Sequence, residues 1–163
     1  MLNLSNATDT NNIWNDTTPT SSVFSLALSN FGSSRSGVAY CFVEKTGYSK
    51  FGTYYGNGND DGTFVYTGFK PAFVMVKASS GVDQWQMTDH KRDANVSPNF
   101  ARLTADSNGA EATNQTWAKI EKFSNGFKMR GTDGVTNQNG RTYIYMAFGQ
   151  SLVGSNNIPC TAR

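Results

Sequence analysis

Thr142-Tyr-Ile-Tyr-Met-Ala-Phe148 is aromatic, β-branched and uninterrupted, and it reads as a buried strand. Gly37-Val-Ala-Tyr-Cys-Phe-Val43 is its counterpart upstream. Between them lie Phe64-Val-Tyr66 and Ala72-Phe-Val-Met-Val-Lys77, two further strands, separated by Thr67-Gly-Phe-Lys-Pro71. Pro71 cannot donate to a central ladder, so the chain should break there. Trp85-Gln-Met-Thr-Asp89 alternates large and polar residues as a half-exposed strand does, and Ser79-Ser-Gly-Val-Asp83 before it is turn chemistry. Residues 72–89 therefore predict a hairpin. A second hairpin joins Trp117–Phe123 to Gly126–Arg130 through Ser124-Asn125-Gly126, where Asn and Gly both accept positive φ. The best helix candidate, Ala110-Glu-Ala-Thr-Asn-Gln115, is short. Short strands punctuated by Gly, Asn and Asp predict an all-β fold with little helix: an antiparallel β-sandwich of the jelly-roll or concanavalin-like kind.

The same segments form a repeat. Leu2–Trp14 runs beside Leu103–Trp117, Val23-Phe-Ser-Leu26 beside Phe127-Lys-Met-Arg130, and Gly37–Glu44 beside Tyr143–Gln150. Residues 1–46 read as the closing half of a preceding module, 47–150 as a complete module of about 100 residues, and 151–163 as a tail. The junction falls at Gly47-Tyr-Ser-Lys-Phe-Gly52. In the half copy, the strand at 37–43 should match 142–148 and Trp14 should match Trp117, a core anchor. Half a module leaves strand edges to cover, either on the complete module's sheets or on a neighbouring subunit.

Aromatics at 13% and charged residues at 16% fit a folded, polar-uncharged surface and exclude disorder. The net charge of +2 and its scattered cations carry no nucleic-acid footprint and no polybasic membrane patch. No apolar run is long enough to span a bilayer, and no signal peptide is visible at the N-terminus. Cys41 and Cys160 read as free thiols, spaced for neither a metal site nor a redox pair.

Chemistry-bearing motifs are sparse. The one histidine, His90, stands among charges in Thr88-Asp-His-Lys-Arg-Asp93 and reads as a hydrogen-bonded loop residue, since no nucleophile elbow accompanies it. Asp60/Asp61 and Asp89/Asp93 would need to face each other across a cleft to share acid and base work; as turn formers and ion pairs they need no such role. No catalytic residue is assigned. Asn57, Asn59 and Asp61 before Gly62 match the first half of a calcium loop, but Gly68 stands where the bidentate Glu belongs. A tight Gly-rich turn is the preferred reading, with no metal and no cofactor. Trp85, Tyr54, Tyr55 and Asp89 are the candidate glycan ligands, because a sugar face stacks on a ring while polar groups fix its hydroxyls.

Residues 38–58 and 61–77 resemble a module found in virion proteins of marine tailed bacteriophages, and Ser124–Lys128, Thr142–Phe148 and Gly154–Arg163 continue the likeness. The resemblance implies a lectin-like β-sandwich in a tail fibre, spike or capsid-decorating protein, localised to the virion, with this chain as its C-terminal part. It also implies other virion proteins as partners, a homo-oligomer with a trimer favoured, and a host-surface glycan as a further partner. A carbohydrate-binding module recognising host-surface glycans is the alternative reading and a glycan-degrading tailspike enzyme the least favoured; a non-enzymatic role is expected, with no nucleic acid and no membrane as partner.

Overall fold

The structure, a computed structural model, describes residues 5, 14–27, 38–92, 100–113 and 117–150. The chain divides into two compact units, Thr8–Phe42 and Met1–Ala7 with Val43–Arg163. In the smaller unit Trp14 opens a turn in which Asn15 and Asp16 take positive φ, and its ring meets Phe24 edge-on at 6.3 Å. Val23–Leu26 lies outside any strand, so its alignment beside 127–130 has no counterpart in local structure.

The larger unit holds β1 (Ser49–Tyr55), β2 (Phe64–Tyr66), β3 (Pro71–Ala78), β4 (Gln86–Asp89), β5 (Leu103–Thr104), β6 (Lys119–Phe123), β7 (Gly126–Arg130) and β8 (Thr142–Gly149). They form two antiparallel sheets, ordered β1-β8-β3-β4-β5 and β2-β7-β6. The fold is all-β and sandwich-like, and no described residue is helical. The expected helix at 110–115 is corrected over its described part: Ala112 instead bridges Arg102 in antiparallel fashion.

Alternation along each strand builds the core. Val74, Val76 and Ala78 of β3 and Tyr143, Tyr145 and Ala147 of β8 face Ile120, Phe127, Met129 and Val65 of the smaller sheet. Burying each such Val, Phe or Met side chain contributes about 1.5–3 kcal/mol. Phe127 meets Tyr145 edge-on across the sheets at 5.3 Å. Tyr54 stacks flat on its register partner Tyr143 at 4.9 Å. Gly52 lies opposite Tyr145, whose ring stands 3.0 Å from where a Cβ would sit, so the absent side chain is what lets that ring lie across β1. Towards β4 and β6 the interior turns polar: Gln86 Nε2 donates to Ala118 O at 2.8 Å, and Lys122 Nζ donates to Thr88 Oγ1 at 3.0 Å.

The five-stranded sheet is apolar on its other face too. Register places Phe51, Met146, Met75, Met87 and Leu103 in one row across all five strands. This explains why β3 and β8 read as continuous apolar runs rather than alternating ones.

Several expectations need correction. The run 38–43 lies outside any strand and is exposed, with Val38 at 79%, Tyr40 at 77% and Val43 at 67%. Its repeat counterpart, β8, is central only because β1 and β3 flank it; likeness of sequence does not supply those neighbours. Much of the expected junction is strand β1. The break expected between Phe64–Tyr66 and Ala72–Lys77 is present, since β2 and β3 belong to different sheets; only Pro71 itself differs, being the first residue of β3, with a bulge between it and Phe73. The second hairpin turns on Ser124-Asn125, with Phe123 opposite Gly126; neither Asn125 nor Gly126 is among the positive-φ residues. Gly126 is needed for space instead, because a Cβ there would strike Val65 O and the Phe64 ring.

Candidate functional site

The four residues expected to hold a glycan are not brought together. Tyr54 and Tyr55 are neighbours on β1 and so point to opposite faces: Tyr55 is 69% exposed, whereas Tyr54 is buried. The Tyr54 hydroxyl donates to Thr136 O at 2.7 Å, and burial raises its pKa well above the ordinary phenol range. Tyr54 is therefore a core residue and not a ligand residue. Trp85 precedes β4 and Asp89 ends it, which separates them by about 13 Å along the strand. Trp85 lies at the same end of the sheet as Tyr55, but β8 and β3 run between their strands. Asp89 accepts from the backbone N–H groups of Lys91 and Arg92, both at 2.9 Å, and pairs with the Arg92 guanidinium at 2.6 Å. Burial would raise the Asp89 pKa, but these bonds outweigh it and hold the carboxyl below its ordinary range.

Trp117 is corrected from core anchor to surface: it is 39% exposed, and Arg102 lies over its ring at 4.5 Å. Alternation gives the inward place to its neighbour Ala118, 1% exposed. His90 is a loop residue as expected, its backbone N–H donating to Ala72 O at 2.9 Å and its ring Nδ1 at 3.2 Å from the same oxygen. Asp93 and Cys160 lie outside the described residues; Cys41 is a free, exposed thiol.

The calcium candidate is a chain of Asx turns. Asn57 Oδ1 accepts from Asn59 N–H at 3.1 Å, and Asn59 Oδ1 from Asp61 N–H at 2.8 Å. Asn137, fully buried, sits at the centre. Its Nδ2 is within 2.9 Å of Asn57 Oδ1, 2.9 Å of Asn59 O and 2.8 Å of Gly131 O, and its Oδ1 accepts from Asn57 N–H at 3.1 Å. A neutral amide thus occupies the position an ion would take. Asp61 points away and pairs with Lys128 and, at 3.0 Å, with Arg130. No group of three metal-ligating side chains occurs among the described residues.

What the fold does gather is the outer face of the β2-β7-β6 sheet. Register puts Tyr66, Gly126 and Phe123 in one row and Phe64, Lys128 and Glu121 in the next, with Arg130 beyond opposite Lys119. Tyr66 is 65% and Phe64 43% exposed. Phe64 reaches over side-chain-free Gly126 and meets Phe123 edge-on at 6.1 Å. Beside these rings runs an ion ladder: Asp61 joins Lys128 and Arg130, and Arg130 Nε donates to Glu121 Oε2 at 2.7 Å. The hydrogen bond from Lys128, reinforced by its charge, holds the Asp61 carboxyl below its ordinary value of 3.8. The hydrogen bond to Glu121 raises Arg130. Half of the face is therefore aromatic and half is fixed donors and acceptors. The sequence carried a signal for it, since Phe64 and Tyr66 flank Val65 and share one side of a strand. Which side faced solvent depended on the partner sheet.

A family model described as a domain of unknown function, DUF7483, matches residues 1–151. No curated protein and no solved structure matches the chain.

Proposed function

The chain belongs to the DUF7483 family, and within it we propose a non-enzymatic structural component of a bacteriophage virion: a tail-fibre, spike or capsid-decorating part that assembles with other virion proteins and attaches to host-surface glycan. The resemblance of residues 38–77 to virion modules supports the setting. One structural observation carries the assembly part. The run 38–43 has the composition of the central strand β8, yet Val38, Tyr40 and Val43 are each more than 60% exposed. A strand's worth of apolar side chains held in water marks an interaction surface. Repeated identical contacts between copies favour a closed homo-oligomer, with a trimer the form expected of a fibre-like part.

The mass of the purified chain in solution tests this. A trimer or another defined oligomer at micromolar concentration supports the reading. A monodisperse monomer that also fails to bind the other proteins of the particle overturns it.

A further inference from the structure

We propose that the outer face of the β2-β7-β6 sheet is a binding platform for a neutral hexopyranose chain. Tyr66 and Phe64 stack on the sugar ring, and the Asp61–Lys128–Arg130–Glu121 ladder receives its hydroxyls. The proposal rests on the attachment part of the reading above and is independent of the assembly part.

Three observations choose this occupant. The first is size. The face spans three strands, about 10 Å across and about 14 Å along them, a footprint under about 200 Å². Each partner of a stable protein complex buries about 800 Å², so a second copy would find too little here. The area suits one or two sugar rings.

The second is charge. Asp61 and Glu121 are matched by Lys128 and Arg130 in contacts already made. Lys119, the next cation on the face, points to the Phe100 ring at 5.3 Å. The ladder presents oriented N–H groups and carboxylate oxygens with no net charge, which suits hydroxyls and gives no advantage to phosphate, sulfate or a polyanion.

The third is shape. Gly126 contributes no side chain between Tyr66 and Phe123, and a Cβ there would collide with Phe64. The missing side chain lets the Phe64 ring lie over Gly126 beside Phe123, so that the rings form one low apolar surface next to the ladder. The C–H face of a pyranose is apolar while its rim is polar, and this surface is divided the same way.

The test uses the full chain against neutral glucose, mannose and galactose hexasaccharides in α and β linkage, screened on an array and titrated by calorimetry. Binding of at least one is expected, with affinity unchanged between low and high salt. Tyr66→Ala should lower that affinity at least about tenfold, and Asp61→Ala should lower it as well. Tyr55→Ala, an equally exposed ring on the other sheet, should leave it unchanged. A thermal melt of each variant confirms folding, which the exposure of Tyr66 favours. No binding at millimolar sugar would overturn both the platform and the attachment reading. Binding that survives both Tyr66→Ala and Phe64→Ala would overturn the platform alone. Binding restricted to acidic glycans, or falling steeply with salt, would overturn the neutral ligand. A drop in particle mass on Tyr66→Ala would make the face a contact between copies and overturn the proposal.

Discussion

Asn137 holds the loop at Asn57–Asp61 as a bound ion would, but from within the chain. Its amide replaces a cation, and its cost of burial is offset only while all its partners are present. Asn137→Ala should therefore destabilise the fold by about 2–4 kcal/mol, since several buried groups lose partners at once. Asn137→Asp should be worse at neutral pH, because a carboxylate would then face three oxygens. Burial and those oxygens would raise that carboxyl's pKa in the fold, so the added penalty should shrink as pH falls. Urea unfolding at two pH values checks both outcomes. Asp61 runs the other way. Its folded pKa lies below the unfolded value, so its pairing with Lys128 and Arg130 is present above 3.8 and is lost as pH falls through the folded pKa. A carboxyl-detected NMR titration should find the Asp61 midpoint below 3.8, and Lys128→Met should move it up.

At the scale of elements, the β6–β7 hairpin separates two explanations of one glycine. If Gly126 served the turn, Asn125 beside it would matter equally. The turn residues carry ordinary φ, and Asn125 contributes only its backbone carbonyl, which accepts from Thr67 and Gly68 N–H at 3.0 and 3.1 Å. Asn125→Ala should thus cost less than about 1 kcal/mol, whereas Gly126→Ala should cost about 2–4 kcal/mol by driving a methyl group into Val65 O and Phe64. Paired urea melts distinguish the two. The same hairpin shows what sequence made legible. Composition and punctuation located β2, β3, β4, β6, β7 and β8 because each run carries its own apolar signal. They missed β1, whose Ser49-Lys-Phe-Gly-Thr-Tyr-Tyr55 is polar and Gly-bearing and becomes a strand by pairing with β8. They placed a strand at 37–43 because a continuous apolar run registers propensity and not the presence of neighbours. The expected glycan ligands scattered for a related reason. Spacing in sequence says which residues share a strand face, but not which strands lie side by side, and β8 and β3 come between Tyr55 and Trp85.

For the whole molecule, the balance of apolar surface decides between a solitary and an assembled state. The core is satisfied between the two sheets, while the run 38–43 and the second face of the five-stranded sheet carry apolar side chains that this core does not use. Edge strand β1 is guarded: Glu44 accepts from Phe51 N–H at 3.0 Å and pairs with Lys50 at 3.2 Å, an arrangement that blunts unspecific strand addition. Assembly through the run predicts that Val38→Ser with Tyr40→Ser lowers the particle mass to that of one chain while changing the unfolding free energy of the larger unit by less than about 0.5 kcal/mol, as surface substitutions do. Sedimentation velocity reads the first outcome and a urea melt the second. An unchanged mass would place the contact elsewhere and leave the run without that role.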